Sequence, residues 1–391
     1  MTCLRLHSHL MSIFKALSIV IKGIEDKQQG HNNSKGGLFF SVIFPIKYEE
    51  YIINISFNSI MNNNKHINVK DCIKYISYAL TRTITFIDID NILITTIYFF
   101  LGSMKLLHYK DINNQTIITY LSHCAVLDDN KYLIGFKSSH HSFYKDLAST
   151  YSSISILHLL NIPLDSFCQM YSIKYNKEIF LKSTSSHQDR KIGRVYNYIV
   201  NDSDSDIRFI YCALSIFVFL ESKNEIPNYF DINKVKNYIS SMKSYEGGYS
   251  MIDGGEANCG VTYCALASLS MINSLPKDDF TLIQWLINRS VEVNGRTNKE
   301  SDVCYSYWII ASMKLLNIEQ YKDDSTLFSF IKKCSTIFGG FSKRSTFDSN
   351  GNNIYNYPDI EHTYYALMSL SLLEHSDSID VELSILNKKR N

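Results

Sequence analysis

The sequence predicts an all-α protein assembled from repeated helix pairs. Three observations carry this expectation. Proline is scarce, 5 residues in 391, so little interrupts helical runs. Long stretches follow a helical rather than a strand periodicity of apolar and polar residues. One pattern also recurs along the chain: a glycine–glycine or glycine–aromatic turn, then a helix with small and aromatic residues on one side and Leu, Ile or Met on the other.

In chain order the recurrences are easily placed. Gly135-Phe136 precedes the helical stretch 148–157, and a second helix occupies 208–217. Gly247-Gly248-Tyr249 precedes 261–269, Asn294-Gly295 precedes 304–312, and Gly339-Gly340-Phe341 precedes 362–370. The helix starts are about 40 to 60 residues apart, a repeat signature. Each turn uses the backbone freedom of glycine for a tight reversal. The amphipathic stretches 235–242 and 279–287 read as outer partners, and 261–272, apolar nearly all round, is expected to be buried on every side. Repeated helix pairs form an open solenoid or a closed ring, and periodicity alone does not choose. In a ring the inner helices would present their N-terminal residues at one end of a central cavity. Arg208, Thr262, Cys304 and His362, each read at a helix start, would then share a rim.

Composition bounds the function. With 45% hydrophobic and 20% charged residues, the chain can bury a large core, in one large domain or two ordinary ones. A formal net charge of +1 argues against a nucleic-acid or membrane-surface binder. The nine cysteines are odd in number and scattered, which suits reduced thiols and a cytoplasmic setting rather than a disulfide framework. The apolar run from Leu10 to Ile24 is broken by Lys15 and Lys22; it is too short and too charged to span a membrane, and no clean cleavage site follows it. The expected organisation is an N-terminal extension, 1–64, ending at Asn62-Asn63-Asn64, a helical-repeat domain, 65–375, and a C-terminal tail, 376–391.

Two constellations carry chemistry. Asp302-Val303-Cys304 offers a carboxylate and a thiol two residues apart, and His362 follows one repeat later. This donor set suits zinc with a position left for substrate, and zinc lowers the pKa of a bound thiol. Arg296, Lys299 and Tyr305 bracket the same motif and form a candidate phosphate site beside a helix N-terminus. Each has a commoner reading alone: a cap followed by a buried cysteine, a packed histidine, a solvated loop. Arg208 adds a cation one repeat away, with a salt bridge to Asp204 or Asp206 as its bland reading. The interleaving of cations, carboxylate and thiol within ten residues favours a site.

The stretch Gly295-Arg-Thr-Asn-Lys-Glu-Ser-Asp-Val-Cys-Tyr-Ser-Tyr-Trp308 resembles the G-R-x-N-K-x-x-D-x-C-Y-S-F-W motif of protein prenyltransferase β subunits. Tyr245 to Cys264, Asp206 to Ala213, and Gly339 to Lys343 with Pro358-Asp359-x-x-His362 are similar to the family's other motifs, over residues 65 to 375. The resemblance implies a closed α6/α6 toroid and an obligate heterodimer with a helical α subunit. It also implies one zinc, on Asp302, Cys304 and His362. It puts diphosphate contacts on Arg296, Lys299 and Tyr305, and cavity-lining roles on Arg208 and Trp308. Three features point to the type I geranylgeranyl enzyme. Lys343 follows Gly-Gly-Phe-Ser where farnesyl enzymes carry a magnesium-binding Asp, so magnesium is not expected to be required. Thr95 aligns where farnesyl enzymes carry a cavity-shortening Trp, although Tyr365, one turn from His362, competes for that space. The Arg208-Phe-Ile-Tyr-Cys-Ala stretch is also closest to type I. The expected donor is geranylgeranyl diphosphate, and the expected acceptors are CaaX-ending proteins such as Rho/Rac-like small GTPases.

The resemblance has departures. Asn258 stands where the family has a diphosphate-binding His, and Asp146 replaces a second family His. Residues 344–357 are an Asn- and Gly-containing insert, expected as a surface loop. Rab-type and farnesyl enzymes, a non-catalytic scaffold and a ring-shaped terpene cyclase remain as alternative readings.

Overall fold

In the computed structural model the described residues are 68–85, 93–109, 112–199, 204–347, 351, 354, 356–374 and 378–387. The expected N-terminal extension, 1–64, with its Leu10–Ile24 run and Asn62–Asn64 linker, lies outside them, as do residues 348–350, 352, 353 and 355 of the insert.

Helix starts are set by short polar side chains. Asp146, Asp206, Asn258, Asp302 and Asp359 each stand at an N-cap in extended backbone, and each accepts a hydrogen bond from an N–H of the first turn. They open α4 (Leu147–Leu159), α7 (Ile207–Leu220), α9 (Cys259–Met271), α11 (Val303–Leu315) and α13 (Ile360–Leu373). Together with α2 (Leu93–Leu106), these helices are buried nearly all round. Between them run α1 (Val69–Thr85), α3 (Asn114–Cys124), α5 (Leu164–Met170), α6 (Lys177–Ser185), α8 (Ile232–Ser241), α10 (Phe280–Glu292) and α12 (Asp324–Lys333). Strands are marginal: β1 (Ala125–Leu127) pairs antiparallel with β2 (Leu133–Phe136), and β3 (Ile379–Asp380) with β4 (Ile385–Leu386).

The order of packing settles ring against solenoid. α2 packs on α4, α4 on α7, α7 on α9, α9 on α11, α11 on α13, and α13 returns to α2. The circuit is a closed α/α toroid. α1, α6, α10 and α12 pack outside α2, α7, α11 and α13.

The recurring turn has a physical reason. The backbone N–H of Phe136, Tyr249 and Phe341 donates to the hydroxyls of Thr150, Thr262 and Thr363 at 3.0, 2.9 and 3.0 Å. Each threonine stands four residues past its cap and locks the glycine–aromatic turn onto the helix it precedes. This corrects one expectation: Thr262 is fully buried and structural, not part of a rim. Gly340 shows why the turn needs glycine. Its φ is +68°, and a Cβ there would lie 2.5 Å from the Tyr75 ring.

Five residues past each cap stands a buried tyrosine: Tyr151, Tyr211, Tyr263, Tyr307 and Tyr364, joined by Tyr98 of α2. Neighbouring rings meet edge to face, from Tyr364 through Tyr98, Tyr151, Tyr211 and Tyr263 to Tyr307, at 5.4–6.0 Å. The hydroxyls of Tyr98 and Tyr364 donate to the carbonyl of Ser384, that of Tyr151 to Leu383 and that of Tyr263 to Val381, at 2.5–3.0 Å. α2 and α9 face each other across the ring, so a loop that both reach lies on the ring axis. Glu382 of the same loop pairs with Lys223, just past the C-terminal end of α7. The segment 376–391, expected as a tail, therefore contributes a hairpin that closes the end of the barrel opposite the helix caps.

Candidate metal and anion site

The caps gather the chemistry at the other end. Asp302 caps α11 through its Oδ1, which accepts from the N–H of Cys304 at 3.1 Å. The same oxygen accepts from the Cys304 Sγ at 2.9 Å and lies 3.4 Å from Nε2 of His362. Donor atoms of Asp302, Cys304 and His362 all fall within 4.8 Å of one another, two of the residues buried and His362 half-buried. A tetrahedral ion with bonds of about 2.0–2.3 Å needs donors roughly 3.3–3.8 Å apart, so only a small contraction separates this set from a binding geometry. His362 stands three residues past its cap and Cys304 two, so they are not at one repeat position as expected; α13 brings the imidazole round from the neighbouring helix.

A residue that the sequence motif left without a role orients the imidazole. Asp359 caps α13 through Oδ1 at 2.9 Å, while its Oδ2 meets Nδ1 of His362 at 2.6 Å. Nε2 is thereby left facing Asp302, an arrangement typical of a metal-binding histidine and its carboxylate. The Asp-x-x-His spacing was the available signal, since it puts the acid at the cap and the imidazole one turn on.

The three groups bias one another's protonation strongly. Burial would raise the Asp302 carboxyl, but His362, Cys304 and Lys343 outweigh it and hold the pKa at about 2. Burial would lower His362, yet Asp302 and Asp359 outweigh it and raise the imidazole to about 10. Burial, and then the Asp302 charge, pushes the Cys304 thiol well above its usual range. Lys343 lies 3.2 Å from Asp302 Oδ2, so its ammonium sits against the metal-competent carboxylate.

The anion residues flank this cluster. The strap 294–301 runs from α10 to the Asp302 cap and carries Arg296 and Lys299. Arg296 pairs with Glu256 at 2.5 Å, both half-exposed, and Lys299 is exposed. Asn258 caps α9, accepting from Gly260 and Val261, and its Nδ2 approaches the Tyr305 hydroxyl at 3.5 Å. The replacement of a family histidine thus leaves a cap that also reaches Tyr305. Gly295 has no room for a side chain: a Cβ would lie 2.0 Å from Cζ of Tyr305.

Below the caps the wall is aromatic. Trp308 packs on Tyr305 at 5.3 Å and on Tyr365 at 5.0 Å, and Tyr365 continues to Phe99 at 5.5 Å. Thr95, one turn from Phe99, bonds Ser152 at 3.1 Å. Arg208 takes its bland reading in part: Asp206 holds its guanidinium with two nitrogens, at 2.7–3.2 Å.

A profile of the prenyltransferase alpha-alpha toroid domain matches residues 62–388. The chain is 32% identical over 243 residues to a geranylgeranyl transferase type-1 subunit beta from Arabidopsis thaliana, covering 58% of this chain and 59% of the relative. It is 30% identical over 233 residues to a geranylgeranyl transferase type-1 subunit beta from Dictyostelium discoideum, covering 58% and 60%. The matches thus span about three-fifths of the length of these relatives. Among solved structures, a Candida albicans protein geranylgeranyltransferase-I complexed with GGPP shares the fold, with a TM-score of 0.66 and 23% identity over 83% of this chain and 97% of that one. Among the described residues no helix is long and apolar enough to cross a membrane.

Proposed function

The chain belongs to the prenyltransferase alpha-alpha toroid family, and on that premise we propose that it is the catalytic β subunit of a cytoplasmic protein geranylgeranyltransferase type I, working with a helical α subunit. The reaction moves a geranylgeranyl group from its diphosphate to the cysteine sulfur of a C-terminal CaaX sequence on proteins such as small GTPases. A C–S bond forms at C1 of the isoprenoid, the C1–O bond breaks, and diphosphate leaves. The observation that carries the reading is the meeting of Asp302, Cys304 and His362 within 4.8 Å, at the end of the strap that bears Arg296 and Lys299.

A zinc ion held by Asp302, Cys304 and His362 would supply the acceptor sulfur as a thiolate at neutral pH. Asp359 holds His362 with Nε2 presented. Arg296, Lys299 and Tyr305 bind the diphosphate and stabilise the charge that grows on it as the C–O bond breaks. Diphosphate must displace Glu256 from Arg296, an exchange of one anion for a more highly charged one. Lys343 contributes a fixed positive charge, in place of magnesium. Trp308, Tyr365 and Phe99 exclude water and take the apolar tail, whose burial is worth about 25 cal/mol per Å². Thr95 leaves depth for a fourth isoprene unit.

The test is isoprenoid transfer by the full chain co-expressed with its α subunit. Geranylgeranyl diphosphate should be preferred over farnesyl diphosphate on a Leu-ending peptide, and Thr95→Trp should reverse the preference. Cys304→Ala should lose metal and activity together. Transfer in metal-free buffer with zinc restored should not rise on adding millimolar magnesium, and Lys343→Asp should create that dependence. A wild-type choice of the fifteen-carbon donor would make this a farnesyl enzyme. Full zinc occupancy in Cys304→Ala would refute the ligand set.

A further inference from the structure

The strap 294–301 is held by a side chain that touches neither the metal-competent cluster nor the anion residues' charged groups. α10 ends at Val293 in left-handed backbone, φ +47°. Asn294 follows, only 4% exposed, and its amide is fully used. Oδ1 accepts from a guanidinium nitrogen of Arg289 at 2.5 Å; Nδ2 donates to the carbonyl of Lys299 at 2.9 Å and to Glu292 Oε2 at 2.8 Å. Arg289 is itself 4% exposed, with its face toward Trp285 and a second contact to Glu292 at 3.1 Å. Between Asn294 and Lys299 the strap reverses in a turn closed by Lys299 N–H to Arg296 C=O at 3.2 Å, with Asn298 in left-handed backbone. Asn294 and Ser301 pair as a bridge, and Ser301 Oγ donates to the Glu292 carbonyl at 2.9 Å.

We propose that Asn294 is a positioning residue for diphosphate. Its buried amide grips the backbone of Lys299 from below and fixes the Arg296–Lys299 turn, so that both cations face the ligand before it arrives. The inference rests on the functional reading of the site given above. A flexible strap would have to order on binding, and that cost would appear in affinity for diphosphate alone. The role of Arg289 is to hold the amide in one orientation: with its oxygen taken by a guanidinium, only the NH₂ group can face Lys299.

Asn294→Asp separates this role from general packing. A carboxylate keeps the acceptor for Arg289 and strengthens it, but cannot donate to the Lys299 carbonyl or to Glu292 Oε2. The measurement is inhibition of the full heterodimer by inorganic diphosphate, beside its affinity for geranylgeraniol, its KM for the acceptor peptide and its zinc content. The expected result is about tenfold weaker binding of inorganic diphosphate and of the isoprenoid diphosphate, with the other three unchanged. In a Lys299→Ala background the same change should cost less than in wild type, since one of the two groups it positions is gone. Unchanged diphosphate affinity in Asn294→Asp would overturn the role of Asn294 while leaving the functional reading standing. Equal losses for geranylgeraniol and diphosphate would do the same, by showing a packing role. Wild-type protein that binds no diphosphate would overturn both. If Asn294→Asp does not accumulate as heterodimer, Asn294→Ser, which opens room for a water, is judged by the same criteria.

Discussion

At the scale of single residues, zinc binding at the proposed ligand set carries a proton count. Without metal, His362 titrates at about 10 and the Cys304 thiol well above its ordinary range, so both are protonated at pH 7. Loading zinc must displace both protons, and its apparent affinity should rise about a hundredfold per pH unit from pH 6 to 8. Calorimetry in buffers of different ionisation enthalpy should show two protons released in wild type; one proton would remove a residue from the ligand set. Asp146 gives a second residue-scale prediction. Burial, only partly offset by hydrogen bonds from Ser149 and Ala148, pushes its carboxyl up to about 6, and its Oδ2 is buried with no partner. The folded pKa lies above the unfolded one, so the protonated form's stabilisation is complete below about pH 4 and is lost as pH rises through 6. Asp146→Asn keeps the cap oxygen and removes the buried charge, so it should stabilise by about 2 kcal/mol at pH 8 and little at pH 4; equal thermal shifts at the two pH values would contradict this. Asp302, Cys304, His362, Arg296 and Lys299 were legible in the sequence as candidates, because their interleaving and the family motif set them apart where spacing alone did not. Asp359 and Asn294 were not assigned roles there. Their contribution is a hydrogen bond to a group that folding brings round, and an Asp at a helix start or an Asn before a Gly looks the same whether or not that partner exists.

At the scale of elements, one register organises the barrel: a tyrosine stands five residues past each of the five inner caps, and at three of the five a threonine stands four residues on. The sequence displayed the turn and the helix but not the bond between them, so Thr262 looked like a rim residue although its hydroxyl is spent on the Tyr249 N–H. The strap obeys a different constraint. It lacks the threonine lock and is held instead by Asn294 and by Cys259 N–H donating to the Gly295 carbonyl at 2.9 Å. Gly295 is glycine because the Tyr305 ring occupies the volume of its missing Cβ. Gly295→Ala should therefore push Tyr305 aside while leaving the proposed zinc ligands in place. A displacement of the order of 1 Å costs about a hundredfold in rate when it moves a group that contacts the reacting centre. Steady-state kinetics should show that loss in kcat/KM for the isoprenoid diphosphate at full zinc content. Activity within a fewfold of wild type would mean that Tyr305 does not contact the diphosphate.

At the scale of the whole molecule, periodicity could not choose between a solenoid and a ring, because both use the same amphipathic helices; closure is a long-range fact, made by α13 returning to α2. Closure also creates a problem invisible in the sequence. Six tyrosines turned toward the ring axis place phenol hydroxyls where water is excluded, and each needs a partner. Tyr211 donates its one proton to the hydroxyl of Tyr151 at 3.2 Å or of Tyr263 at 3.3 Å, which satisfies part of that need. The carbonyls of Val381, Leu383 and Ser384 accept from four more, Tyr98, Tyr151, Tyr263 and Tyr364, while the Tyr307 hydroxyl has no partner among the described residues; the hairpin read as a tail in sequence because a backbone acceptor has no residue code. The hairpin also buries Ile379, Leu383 and Ile385 at 1–7% exposure. Removing residues 379–391 would strand buried hydroxyls, at about 1–3 kcal/mol each, and expose three apolar side chains worth about 1.5–3 kcal/mol each. The sum approaches the whole stability of an ordinary domain, about 5–15 kcal/mol. The truncated chain, co-expressed with the proposed α subunit, should fail to accumulate or should unfold at least 10 °C below the full chain, by roughly the shift such a loss implies. The milder Leu383→Ala, which keeps every carbonyl, should cost about 2–3 kcal/mol through lost packing alone. A truncated heterodimer with the full chain's melting temperature would mean that the belt satisfies its own hydroxyls and that the hairpin merely covers an end already closed.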